Sequence, residues 1–98
     1  MSRVRLSREA KLDLGEIWDY LGVAKDNPNA ARRQIEMIYR KLALLATQPE
    51  MGERRDELRV GVRTFSAGRY VIYFVPMKNG IEVERIVHGS RDVGTLFQ

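Results

Sequence analysis

The side chains best suited to chemistry in this 98-residue sequence are basic and aromatic groups in its C-terminal third. Most of the 17 basic residues are arginine, whose planar fork of donors matches phosphate and carboxylate. Arginine beside aromatic rings is typical both of nucleic-acid surfaces and of protein–protein hot spots. We therefore predict a surface for an anionic partner, and the pattern leaves protein and RNA open. The candidate contacts are Arg63, Arg69, Arg85, His88, Arg91 and Phe97, with Tyr70 and Tyr73 beside them.

His88 is the only histidine, and the sequence has no cysteine. A lone histidine cannot build a metal site without other strong ligands, and Asp92 lies beyond a glycine turn. His88 is either a hydrogen-bonding group at a strand end or a general acid–base group. The sequence contains no nucleophile elbow and no glycine-rich phosphate loop, so we predict no hydrolytic triad, metal or cofactor.

Length and composition indicate one cytoplasmic domain spanning residues 1–98. A hydrophobic fraction of 44% is enough to bury a core, and a net charge of +4 is modest. The N-terminus is charged and lacks the apolar stretch of a signal peptide. No segment reaches the roughly 20 apolar residues that span a bilayer, so we expect no membrane association.

Two amphipathic helices follow a short N-terminal strand at residues 3–6. Ser7 is suited to cap the first helix, and Asn27-Pro28 to begin the second. The short linker predicts an antiparallel pair. The first apolar stripe is Ala10, Leu14, Ile17, Trp18 and Leu21, and the second is Ala31, Ile35, Ile38, Leu42 and Leu45.

The first helix carries an acidic strip on one flank, and most charge on the second helix is expected to form a solvated face. Glu9, Asp13 and Glu16 form an acidic strip on the first helix. On the second, the spacing predicts that Arg32 and Arg33 pair with Glu36, and that Glu36 also pairs with Arg40. Three apolar residues fall outside the stripes and are either scattered surface groups or a docking surface. They are Leu12, Met37 and Leu44.

The second half of the sequence predicts a mainly antiparallel, twisted sheet, which makes the fold class α+β. We expect a loop over residues 53–61, strands at 62–65 and 69–75, and a hairpin turn at Asn79-Gly80 before a strand at 81–88. The 69–75 strand is almost continuously apolar, which is typical of a strand covered on both faces. The last strand changes phase near Glu84–Arg85, which indicates a bulge or a change to double coverage and turns Arg85 toward a concave face.

This order of elements resembles the RelE/ParE superfamily of bacterial toxins, and several stretches resemble its ParE-type branch. They span nearly the whole chain in the expected order: 6–10, 13–20, 27–32, 49–52, 55–58, 63–65, 68–70 and 88–92. The resemblance implies the toxin of a type II toxin–antitoxin system, neutralised by a cognate antitoxin in a hetero-oligomer. The antitoxin would cross the helices, where Leu12, Met37 and Leu44 lie. The implied target is DNA gyrase, inhibited by binding and not by catalysis.

Two alternatives stay open. RelE-type members cleave messenger RNA on the ribosome, and that activity would use Arg69, His88 and Arg91 here. However, Phe97 lacks the hydroxyl of a C-terminal tyrosine common in those members. Only Arg54 and Arg55 stand where some of them carry paired lysines. The other alternative is a degenerate member that binds its antitoxin but is no longer toxic.

Overall fold

Both helices begin at the capping residues that the sequence predicts. The computed structural model describes residues 2–97. Ser7 Oγ accepts a hydrogen bond from the Ala10 amide at 3.0 Å, and Asn27 Oδ1 accepts one from the Ala30 amide at 3.1 Å. The elements are β1 Arg3–Leu6, α1 Arg8–Trp18, a π-helical segment Asp19–Ala24, α2 Pro28–Thr47, a 3-10 turn Pro49–Met51, β2 Glu53–Arg54, β3 Arg63–Ala67, β4 Tyr70–Met77, β5 Gly80–His88 and a 3-10 turn Val93–Thr95.

The first helix departs from the prediction at its C-terminal end. Regular α-helical geometry stops at Trp18, and a wider π-helical turn carries the chain to Ala24. Trp18 was predicted to lie in the core but is 43% exposed. Trp18 is the last residue of α1, and its ring lies beside Gly22 of the π-helical segment.

The five strands form one sheet in the order β1-β5-β4-β3-β2. β1 runs parallel to β5, and the other neighbours are antiparallel, so the predicted α+β class with a mainly antiparallel sheet is confirmed. The prediction of a loop over 53–61 is wrong at its start. Glu53 and Arg54 form the short strand β2, which pairs with Thr64 and Arg63 of β3.

Apolar residues cover both faces of the sheet. Ile72 and Phe74 of β4 pack toward the helices, against Ile38 and Leu42 of α2. Tyr73 faces the other side and packs with Val62, Val87 and the C-terminal residues Val93, Leu96 and Phe97. This double coverage is the reason for the almost continuous apolar sequence of β4.

The predicted phase change in β5 is a β-bulge. Tyr73 of β4 is paired with Arg85, and the next residue, Phe74, is paired with Val83, so Glu84 is the extra residue. Val83 and Ile86 both belong to the core between sheet and helices although three positions separate them. The bulge therefore decides which side chains of the C-terminal half of β5 face the helices.

Candidate functional site

Arg69, His88 and Arg91 converge on one groove of about 990 Å³ between the helical layer and the adjoining ends of β4 and β5. The opposite wall includes Tyr20 of the π-helical segment and Lys25, the residue that follows this segment. The fold thus brings three of the six predicted contact residues to one surface.

Two turns position these residues. Gly68, with φ of +64°, allows the tight turn between β3 and β4 that presents Arg69. β5 ends at His88, and the Gly89 amide donates to the Arg69 carbonyl at 2.9 Å. The Arg91 amide donates to the His88 carbonyl at 3.0 Å. Backbone hydrogen bonds therefore join the two turns and hold the three side chains on one rim.

The hydrogen bonds of His88 assign its neutral tautomer. The Ser90 amide donates to His88 Nδ1 at 3.1 Å, and the Ser90 hydroxyl lies 2.7 Å from the same atom. Because Nδ1 accepts, the proton of the neutral ring belongs on Nε2. The ring also packs edge-on against Tyr70, with centroids 5.5 Å apart. In the neutral tautomer Nε2 carries the proton, and the basic Nδ1 is occupied by Ser90.

The groove carries positive charge that the protein itself does not neutralise. Across residues 2–97, Arg69, Arg91 and Lys25 make no ion pair. Lys25 instead lies 5.4 Å from the ring centroid of Tyr20, in a cation–π contact. Burial raises the pKa of Tyr70, so its phenol stays neutral under physiological conditions. The groove is suited to bind an anionic or hydrogen-bond-accepting partner.

Two of the predicted contact arginines lie outside this groove. Arg85 donates from Nε and Nη2 to the Asp13 carboxylate, both at 2.9 Å, and only 18% of its side chain is exposed. The hydrogen bond to Asp13 raises the pKa of Arg85. Arg63 donates to the Gly52 carbonyl at 2.8 Å, at the β2 side of the sheet. Arg63 and Arg85 therefore have partners within the protein, and Arg85 does not offer a free guanidinium.

Phe97 lies on the far face of the sheet from the helices. Its ring centroid is 5.6 Å from that of Tyr73, and the Arg59 guanidinium lies 5.2 Å from its ring. The six predicted contact residues therefore do not form one surface. They divide between the groove, the far face and two internal contacts.

Comparison with known proteins decides the family. A profile described as "ParE toxin of type II toxin-antitoxin system, parDE" matches residues 4–93. Toxin ParE1 of Caulobacter vibrioides is 37% identical over 98 residues, covering 92% of each chain. Toxin ParE1 of Mycobacterium tuberculosis is 31% identical over 93 residues, covering 94% of each. The chain belongs to the ParE toxin family.

The fold of this ParE-family chain also matches a solved structure described as the chromosomal ParDE TA system from P. aeruginosa. The TM-score is 0.73 at 24% identity, over 90% of this chain and 96% of that one. The likeness supports the order of strand, helices and mixed sheet derived above.

The helical surface of this ParE-family chain differs from the sequence prediction in its ion pairs. Within the described residues Glu36 pairs with no arginine, and Arg32 donates to Asn29 Oδ1 at 3.0 Å instead. An exposed helical ion pair contributes only about 0.3–0.5 kcal/mol, too little to fix two long side chains. Arg33 and Arg40 are consequently available to a partner.

The three predicted docking residues lie on two helices. Leu12 is 59% exposed on the side of α1 opposite Ala10 and Leu14. Met37 and Leu44 lie seven positions apart on one flank of α2. Met37 is half-buried against the β3–β4 turn, with its sulfur 3.4 Å from where a Cβ on Gly68 would stand.

Sequence reasoning missed Tyr20, Lys25 and Gln34 as groove residues and Asp13 as a buried group. Gln34 Nε2 donates to the Ala67 carbonyl at 3.0 Å, which ties α2 to the rim. The one sequence signal for Tyr20 and Lys25 as groove residues was their position near the end of the first helix. Within residues 2–97 no group of three or more metal-ligating side chains comes together, and no helix of that range is long and apolar enough to cross a bilayer.

Proposed function

We propose that this ParE-family toxin inhibits DNA gyrase by binding it, and that a cognate antitoxin neutralises the toxin by covering its helices. The observation that carries the proposal is the groove of Arg69, His88 and Arg91, which brings two arginines that make no ion pair within residues 2–97 to one rim with the histidine. Gyrase is the target that resemblance to ParE-type toxins implies. The site of action would then be the cytoplasm.

Three features favour binding over RNA cleavage. A metal-independent ribonuclease needs a base for the 2′-hydroxyl, and neutral His88 presents an N–H at Nε2. Arg54 and Arg55 bond to Asp56 and Glu57 at 2.7 and 2.6 Å, so their charge is partly neutralised. Phe97 lies on the far face of the sheet and carries no hydroxyl.

A paired assay tests the proposed target. Purified toxin is added to gyrase supercoiling reactions and, separately, to programmed ribosomes whose transcript is examined for cleavage. We expect supercoiling to fall with toxin concentration and the transcript to stay intact. Unimpaired supercoiling with clear cleavage would reverse the assignment in favour of the ribonuclease. If neither occurs and expression does not slow growth, the chain is a degenerate member that has lost toxicity.

The antitoxin surface is tested separately. We infer that a partly apolar segment of the antitoxin covers Leu12, Met37 and Leu44, because these side chains contribute apolar area outside the core. The double variant Leu12→Asp/Met37→Asp should bind the antitoxin more weakly in calorimetry. Val60→Asp, at the most exposed of the large apolar side chains among residues 2–97, is the matched control. Equal affinities of the double variant and the control would refute this surface.

A further inference from the structure

The outer edge of β5 changes its neighbour halfway along the strand. β1 pairs with Gly80 to Val83 only, because the chain leaves the sheet at Ser7 to enter α1. From Glu84 to His88, no strand formed by residues 2–97 lies on that side of β5. Backbone groups at such an edge need other partners when helices cover them.

Side chains and backbone at the start of α1 provide these partners. The Ser7 amide donates to the Val83 carbonyl at 2.9 Å, and Ser7 Oγ donates to the Glu84 carbonyl at 2.7 Å. Further along, Asp13 Oδ2 accepts from the Ile86 amide at 2.8 Å. Helix α1 thus continues, through two side chains, the edge pairing that β1 leaves unfinished.

Asp13 is the buried charged residue of this arrangement. Its side chain is 4% exposed, and its carboxylate accepts from the Ile86 amide and from both Nε and Nη2 of Arg85. A buried carboxylate needs this number of donors to offset its lost hydration. The residues it holds directly follow Glu84, the extra residue of the bulge.

The bulge sets the direction of His88. Without the extra residue, alternation from Val83 would turn Ile86 and His88 to the far face of the sheet. With it, Ile86 packs under the helices, and His88, two residues later, contacts Tyr70 at the groove. The turn that carries Arg91 follows, tied to His88 by the Arg91 amide.

We infer that Asp13 is the positioning residue of the groove: by fixing Arg85 and the Ile86 amide, it locks the bulge in the register that turns His88 and Arg91 to the groove. Asp13 acts through β5 and does not itself contact the partner. Its importance for toxicity rests on the proposed function of the groove, whereas its effect on His88 does not.

The test uses the single histidine as a reporter. In Asp13→Asn the side chain keeps its size but has one acceptor oxygen and one NH2 donor, so the ion pair with Arg85 is lost and the three donors no longer all have an acceptor. We expect the Ile86 amide to exchange with solvent about tenfold faster, since its charge-assisted hydrogen bond becomes at most a neutral one. We also expect the NOE between the Tyr70 and His88 rings to weaken and the imidazole 15N shifts to move. The Ile72 amide, in the middle of β4, should be unaffected.

A matched control and a second variant keep this inference falsifiable. Asp19→Asn removes the same charge at the C-terminal end of α1. Asp19 is exposed, makes no ion pair across residues 2–97 and does not line the groove, so His88 should not respond. If Asp13→Asn unfolds, Asp13→Leu/Arg85→Met removes both charges without leaving either one unpaired. The Ile86 amide of that folded double variant should still lose protection, and its His88 signals should still shift.

Native His88 signals in a folded Asp13 variant would overturn the inference, and so would equal acceleration of exchange at Ile72 and Ile86, which marks a global effect. Gyrase inhibition is measured on the same samples. If wild-type protein fails to inhibit gyrase, the proposed target is wrong, yet the response of His88 to Asp13 is still decided by the spectra.

Discussion

The groove and the arginine loop, which we define as residues 53–61, are both rich in arginine but use it differently. In the arginine loop each guanidinium has a carboxylate: Arg54 bonds to Asp56, Arg55 to Glu57, and Arg59 to Glu84. At the groove, Arg69 and Arg91 make no ion pair with any residue in 2–97. The presence of arginine alone therefore does not identify a surface that binds a partner. What distinguishes the two regions is whether a carboxylate lies close enough to pair with each arginine.

The comparison predicts that changes near the loop act on stability and that changes on the groove rim act on partner binding. Asp13 is the instructive exception, because its buried pair with Arg85 lies beside the groove but is internal. The predictions that follow test this division, beginning with that exception.

Asp13→Ala should give the largest loss of stability. It leaves the Arg85 guanidinium and the Ile86 amide without their acceptor. Removing one partner of a buried ion pair costs about 3 kcal/mol in the free energy of unfolding. Urea denaturation measures the change, with Glu16→Ala as the exposed control on the same helix. A loss below that of the control would mean that the pair does not hold α1 to β5.

Gly52→Ala should be the next most damaging change, at the entrance to the arginine loop. An added Cβ would overlap the ring of Phe74, which is fully buried, and would stand 3.0 Å from the Arg63 Cβ. Such overpacking costs about 2 kcal/mol. Gly15→Ala is the matched control, because a Cβ there meets nothing within 4 Å. In the middle of α1 it should stabilise the protein by about 0.7 kcal/mol. Equal melting temperatures for the two variants would contradict the close packing at Gly52.

The division between the two regions also shows what the sequence could predict. Local signals were sufficient for Ser7, for Asn27-Pro28 and for the Asn79-Gly80 turn, because each acts on its own neighbours. The bulge at Glu84 was visible as a change of phase along β5.

Long-range pairing was not visible. Asp13 and Arg85 are 72 positions apart, and the helical spacing alone placed Asp13 in an acidic strip with Glu9 and Glu16. Asp13 is buried because β1 ends at Leu6 and, within residues 2–97, leaves the outer edge of β5 unpaired beyond Val83, where the Ile86 amide needs an acceptor. Conversely, the pairs predicted for Glu36 fitted the helical spacing, but the free energy available to hold them is too small. Of the candidate site, the sequence predicted Arg69, His88 and Arg91 as a group; the opposite wall required the fold.

Arg91→Glu and Arg59→Glu form the most direct test of the comparison, since each changes the net charge equally. Arg91 is on the groove rim, so its reversal should raise the toxin concentration needed for gyrase inhibition about tenfold, which corresponds to about 1.4 kcal/mol. Its unfolding free energy should change by less than about 0.5 kcal/mol.

Arg59→Glu should do the opposite. It places a like charge beside Glu84 and removes the contact with the Phe97 ring, so stability should fall by up to about 1 kcal/mol while inhibition is kept. If both variants lose inhibition equally, overall charge and not the groove governs target binding.

The smallest effect should be a pH dependence contributed by the arginine loop. The Gly61 amide and the Arg54 side chain, both donating to Asp56, hold the pKa of Asp56 below its usual 3.8, and the hydrogen bond from Arg55 lowers the pKa of Glu57 from 4.5. Because these folded-state pKa values are depressed, the unfolded chain binds more protons between the folded and usual values. The contribution is complete above the usual values and is lost as the pH falls through the folded ones.

Urea midpoints measured from about pH 6 to about pH 2.5 should therefore fall less steeply for Asp56→Asn/Glu57→Gln than for wild type below about pH 5. Both carboxyls are exposed, so 1 M salt should reduce the difference between the two curves. Parallel curves at low salt would show that the loop carboxylates are not stabilised by their arginines. The loop would then present free guanidinium groups as the groove does, and Arg54 and Arg55 would become candidates for contact with a partner.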